Sequence, residues 1–158
     1  MATEKELKLA KETYDTLCNM LDARNWKYEK DDEKLIIHFG VGGDDLPMAF
    51  AIFCDAERQL IRLISFLPFN MSKEKIVEGA IATSLVNYYL SDGSFDFNLA
   101  DGSIVFKLTS SFRDSLISEK LFEYMIDLSC VTVDKYNDQF LMMDKGKLSI
   151  EDFIRNNF

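Results

Sequence analysis

The chain has 158 residues, 47% of them hydrophobic and 13% aromatic, with a net charge of −9. This length suits one domain with a sizeable core, and the composition excludes a disordered chain. The acidic balance, without any basic patch, excludes nucleic acid as a partner and argues against an anionic membrane surface.

The first predicted element is a helix over Glu4–Ala23. Thr3 and Glu6 form a capping box, and Leu7, Ala10, Tyr14, Leu17, Cys18 and Leu21 make its apolar stripe. Arg24-Asn25 ends it. A short strand over Trp26–Glu29 and a charged turn at 30–33 follow. Lys34–Val41 is strand-rich, and Gly42-Gly43-Asp44-Asp45 turns the chain. Leu46–Asp55 and Gln59–Leu67 read as a hairpin, with Pro47 at a strand start where a missing N–H is tolerated. Ser72 is a predicted N-cap for a helix from Lys73 to about Leu90. Strands at Ser94–Leu99 and Ser103–Thr109 pair across Ala100-Asp101-Gly102, with Gly102 at positive φ. A long helix runs from near Ser118 to about Met142, and Lys145-Gly146 breaks it. Ser149 with Asp152 opens a short terminal helix. Short connections between most strands predict a largely antiparallel sheet. The fold class is α+β, in the order α-ββββ-α-ββ-α, as a single domain over 1–158 with a short helical tail at 144–158.

Two patterns add detail. In the last hairpin, Phe95, Phe97, Leu99, Ile104, Phe106 and Leu108 alternate with polar residues, which predicts one wet face. The preceding hairpin is apolar on both faces, with Met48, Phe50, Ile52 and Cys54 against Ala49, Ala51 and Phe53. Helices of the chain or another protein are therefore expected over each face. The middle helix carries no charge from Gly79 to Ser91. Such a helix is buried on several sides. Burial within the domain or a subunit contact explains it. Ala82, Val86 and Tyr89 are the candidate residues of a homodimer or partner interface.

No constellation specifies a reaction. His38 is the only histidine, so a nucleophilic triad would have to use it, and no G-x-S-x-G elbow accompanies it. Gly40-Val41-Gly42-Gly43 follows a strand but lacks the helix and Lys of a phosphate loop. Asp31-Asp32-Glu33 and Asp44-Asp45 are turn carboxylates. Asp134–Asp138 fails the calcium-loop pattern. Asp92 and Asp101 precede glycines in turns. Cys18, Cys54 and Cys130 are widely spaced and odd in number, which argues against a disulfide framework or zinc site and for reduced core thiols in a cytoplasmic protein. Met1–Lys5 lacks a signal-peptide core, and no apolar run reaches membrane-span length. Met125, Met142 and Met143 on the last long helix read as a core stripe, with a plastic peptide-binding surface as the rarer meaning.

The element order, Asn87 near the end of the middle helix, Gly93-Ser94-Phe95-Asp96, and Asp101-Gly102-Ser103-Ile104-Val105-Phe106 together carry a resemblance. So do Trp26–Phe39 and the turn Pro68–Lys75. The chain resembles the YbjN-like family of proposed bacterial sensory-transduction regulators, whose fold is similar to that of type III secretion chaperones. The resemblance covers roughly Leu7 to Phe140. Two departures stand out: the tail from Asp144, and Tyr88-Tyr89 where the family often has Arg or Lys after Asn87. The resemblance implies no enzyme activity, no cofactor and no catalytic residue. It implies a protein-binding or chaperone-like module. The expected function is thus a non-enzymatic adaptor for another polypeptide. A small-ligand-binding regulatory domain, or an enzyme with an unrecognised carboxylate site, are the alternatives.

Overall fold

The computed structural model describes all residues, 1–158. The first helix, α1 (Glu4–Ala23), begins at the expected capping box: the Thr3 side chain accepts from Glu6 N–H, and the Glu6 carboxylate accepts from Thr3 N–H at 2.7 Å. Asn25 takes φ 55°, and Trp26 N–H donates to Leu21 while Asn25 N–H donates to Asp22. These two bonds form a Schellman closure, which satisfies the orphan carbonyls of the last turn.

Six strands follow in the order predicted, with one substantive shift. They are β1 (Glu29–Asp31), β2 (Ile36–Gly42), β3 (Pro47–Asp55) and β4 (Leu60–Asn70), then α2 (Ile76–Tyr89), β5 (Ser94–Phe97) and β6 (Ser103–Ser111). The sheet order is β1-β2-β3-β4-β6-β5, antiparallel throughout. β1 begins at Glu29, not Trp26, because Trp26 leaves the sheet plane to pack edge-on against Phe39, ring centres 5.1 Å apart. The chain closes with α3 (Glu119–Asp144) and α4 (Ile150–Asn157), each N-capped by a serine side chain. No helix is long and apolar enough to cross a membrane.

The helices lie on one face of the sheet. Ile37, Phe39, Met48, Phe50, Ile52, Cys54, Ile61, Leu63, Phe95, Ile104, Phe106 and Leu108 point into this layer and are all buried. They join Leu17, Phe122, Ile126, Val133 and Phe140 from the helices in one cluster of 32 residues. The alternation expected for the last hairpin holds, except at Leu99. β5 stops at Phe97, and Leu99 falls in the turn and is exposed. On the wet face Lys107 pairs with Asp96.

One further expectation is corrected. Lys73–Lys75 forms a single 3-10 turn before α2, and the Ser72 hydroxyl makes no capping bond. Instead Ser72 N–H donates to Asp144 Oδ1 at 2.6 Å, so the end of α3 supplies the acceptor. The hairpin β3–β4 has only one face covered by the chain's own helices. Residues on its other face are half-buried or exposed.

Candidate functional site

The stretch Asn87–Phe106 is a structural lock. Asn87 reaches from the last turn of α2 to the outer edge of β5. Its Oδ1 accepts from Phe95 N–H at 2.7 Å, and its Nδ2 donates to Phe95 C=O at 2.8 Å. A side-chain amide thus replaces a neighbouring strand and closes that edge. Gly93 (φ 74°) lies against the Phe106 ring, where any Cβ would intrude. Gly102 (φ 73°) lies against the Met71 carbonyl, and Met71 N–H donates to Gly102 C=O at 2.8 Å. These contacts give Asn87, Gly93 and Gly102 one structural role, the fastening of α2 and of the β4–α2 turn to the last hairpin.

The opposite edge is open. β1 pairs with β2 only over Ile36–His38, so Phe39 to Gly42 have no partner strand on that side. Cys54 N–H donates to Leu35 C=O, which fixes the alternation: Gly40 and Gly42 direct their backbone groups outward.

Three surfaces remain without an internal partner. The first is the helix-free face of the sheet. Ala51 stands opposite Ile64, Ile36 opposite Phe53, and Phe66 opposite Val105, with Lys107 beside Ile64 and Arg62 beside Phe53, so the register sets apolar side chains among two cations on this face. Phe66 is 65% exposed. Arg62 covers part of Phe53, its guanidinium 5.4 Å from the ring centre. The second is the outer side of α2, where Val77, Ile81 and Tyr88 are 70%, 45% and 81% exposed beside Leu99. The third is a groove of ≈ 470 Å³ between the end of α2 and α3, bounded by α4.

The candidate interface residues divide between inside and outside. Ala82 and Val86 are fully buried against the chain's own core, and this corrects their assignment to an interface. Tyr89 is exposed but stacks on Phe158, ring centres 4.4 Å apart. The absence of charge in Gly79–Ser91 thus has two causes, one buried side and one bare apolar side. Sequence reasoning missed Val77 and Leu99 because both lie outside the charge-free run, and periodicity did not separate Ile81 and Tyr88 from their buried neighbours within it.

Candidate chemical groups do not converge. His38 is exposed on the helix-free face. No three His, Cys, Asp or Glu side chains lie close enough to hold a metal ion. The thiols are free. Burial pushes Cys54 up to about 12 and Cys130 up to about 11, and it also raises Cys18. All three are protonated at neutral pH and poor nucleophiles. The turn carboxylates do meet an unexpected neighbour. Asp134 of α3 accepts from Asp44 N–H at 2.9 Å and so pins the β2–β3 turn. Asp138 is raised, chiefly by burial and further by the charges of Asp45 and Asp134. Asp92 accepts from Tyr124 OH at 3.2 Å and from its neighbour Gly93 N–H.

No family model matches the chain, and no curated protein matches it. Among solved structures it is similar to YbjN from E. coli, a proposed transcription regulator. The identity is 12%, over 82% of this chain and 86% of that one, with a TM-score of 0.52. It also matches a chain in the structure of the HopA1–SchA chaperone–effector complex, at 14% identity over 86% of this chain and 93% of that one, with a TM-score of 0.43. The resemblance to YbjN read from the sequence is therefore one of fold, and the chain has the α+β fold of that protein.

Proposed function

We propose that the chain is a non-enzymatic, chaperone-like or adaptor module that binds another polypeptide. An apolar segment of the partner lies across the helix-free face of the sheet. The observation that carries this reading is Phe66, 65% exposed on β4, a central strand of the sheet, just past its last pair with β3 and with no helix above it. An apolar patch on a sheet face is a place where a partner removes area from water. The unpaired edge of β2 at Gly40 and Gly42 suits an extended partner segment, since glycines leave the backbone groups accessible. The charge of −9 favours a basic partner. Three unpaired thiols fit a reducing, cytoplasmic setting.

Photo-crosslinking in the native cells tests this. A benzophenone amino acid at position 66 is expected to give a discrete adduct that Ile64→Lys abolishes. The same group at position 19, on the outer side of α1, is expected to give none. Equal labelling from both positions, or no adduct at 66, refutes the proposal.

A homodimer is the second reading, favoured by the bare side of α2. Val77, Ala80, Ile81, Leu85 and Leu99 border a shallow apolar groove of ≈ 470 Å³. Two acidic chains repel unless they meet at a charge-free surface, and a self-complementary two-fold contact here provides one. Light scattering is expected to show a dimer that Ile81→Glu converts to monomers. A monomer at high micromolar concentration refutes it.

A further inference from the structure

Glycine inside a strand needs a reason, because it loses more chain entropy on folding than any other residue. Five of the seven glycines have one within the chain. A Cβ on Gly43, Gly79, Gly93 or Gly102 would run into a neighbour, and Gly93, Gly102 and Gly146 take a positive φ. Gly40 and Gly42, both in β2, have neither reason. A Cβ on Gly40 would stand 3.7 Å from the Met48 carbonyl oxygen, an ordinary contact, and one on Gly42 would meet nothing within 4 Å. These same two residues point their N–H and C=O groups out of the sheet, past the last β1–β2 pair. Two glycines that the chain's own packing does not require thus coincide with the open stretch of β2, and a strand glycine often marks the close approach of another backbone.

The space beside them is shaped as well. The β1–β2 ladder stops at the Glu29–His38 pair, and Trp26 packs on Phe39 away from the sheet line. A notch of ≈ 450 Å³ opens there, bounded by Lys27, Tyr28, Glu29, His38, Gly40 and Ala49. On the helix-free face Gly40 is paired with Ala49 and Gly42 with Pro47, so no large side chain fills this strip. Past Gly42 the turn carries Asp44 and Asp45, both exposed and in no ion pair.

We propose that the open edge of β2 takes one strand of the partner, antiparallel to β2, with large apolar side chains at two positions two residues apart and a basic residue two positions before the first of them. This rests on the reading that the chain binds a polypeptide, and adds the place and the side chains of one partner strand. Only an extended backbone offers N–H and C=O groups at the spacing of Gly40 and Gly42. An antiparallel strand continues the line of β1. Its residues opposite Gly42 and Gly40 turn their side chains to the helix-free face. These lie flat across the glycines, in the space a Cβ would take, and reach Pro47 and Ala49. The residue opposite Asp44 is the basic one, because Asp44 and Asp45 have no cation of their own.

The test uses the full chain and the peptide Arg-Thr-Phe-Thr-Phe-Thr, blocked at both ends. In the free chain the Gly40 and Gly42 amides are expected to exchange rapidly with solvent. At about 1 mM peptide their exchange, read by NMR, is expected to slow at least tenfold. Gly42→Pro, which removes only an outward N–H, is expected to abolish the slowing at Gly40. Replacing both Phe of the peptide by Thr, or its Arg by Glu, is expected to weaken binding at least fivefold. Gly40→Ala combined with Gly42→Ala is expected to raise the melting temperature by about 2–8 °C while weakening peptide binding at least fivefold. A fall in melting temperature overturns the proposal, because the glycines would then serve the fold. Exchange at Gly40 and Gly42 that the peptide leaves unchanged overturns it. So does protection that grows with chain concentration alone, which would put a second copy on the edge. The adduct at position 66 reports separately. An adduct there with no protection at Gly40 and Gly42 overturns the strand and spares the polypeptide reading; protection without that adduct supports the strand and refutes binding across the helix-free face. The exchange readings use the unmodified chain, so they stand even where Gly42→Pro impairs folding.

Discussion

Asn87→Ala is the sharpest probe of how this fold is locked. The substitution removes both partners of Phe95, the acceptor for its N–H at 2.7 Å and the donor to its C=O at 2.8 Å. Each bond contributes about 1 kcal/mol net, and leaving a part-buried backbone group unpaired adds a desolvation cost, so the expected loss is about 2–3 kcal/mol. With a urea m-value of about 2 kcal/mol/M, typical for a chain of this size, the midpoint falls by about 1 M. Urea titration followed by circular dichroism measures this directly. Asn87→Leu keeps most of the volume and is expected to cost as much as Ala, which separates hydrogen bonding from packing. Asn87→Asp retains the acceptor but puts a carboxylate beside the Phe95 carbonyl, so it is not a rescue. The freed edge of β5 then becomes a pairing template, and the variants are expected to aggregate more readily than the parent. A loss below about 0.5 kcal/mol for both Ala and Leu would refute the clamp, since it would mean that water replaces the amide without penalty.

Phe106 is fully buried against Phe95 at 5.1 Å, and Phe106→Ala is expected to cost about 3–5 kcal/mol in the same titration. Gly102→Ala meets both a positive φ and the Met71 carbonyl, so a loss of at least about 1–3 kcal/mol is expected from backbone strain. Asp138→Asn is expected to raise the melting temperature at neutral pH. The folded-state pKa of Asp138 lies above its unfolded value, so the unfolded chain ionises first and stability falls as pH rises through that interval. The penalty is complete at neutral pH, and the advantage of Asn is expected to vanish below about pH 3, where the carboxyl is protonated in both states. Elemental analysis after chelator-free purification is expected to find no stoichiometric zinc, given scattered cysteines and a lone histidine.

Much of the architecture was legible in the residues because the local signals were short-range and unambiguous. Thr3 with Glu6, Gly102 in its turn, Gly146 after α3 and Ser149 before α4 each settle a boundary through a bond or torsion within a few residues. Period-two alternation likewise placed Phe95, Ile104, Phe106 and Leu108 on the buried side. The same logic failed where a distant partner intervened. Trp26 left its expected strand for Phe39, and Ser72 passed its capping role to Asp144, 72 residues away. Function was harder to read, because exposure depends on which layer lies over which face. Nothing in the pattern of Phe53, Ile64 and Phe66 said that all the helices would choose the opposite side. Nor could periodicity tell Ala82 and Val86, sealed in the core, from Ile81 and Tyr88 on the bare side of the same uncharged helix. Local hydrogen bonding and side-chain alternation lie in the sequence itself. Which apolar surface remains without a partner is a property of the packed layers, and only the tertiary structure decided it.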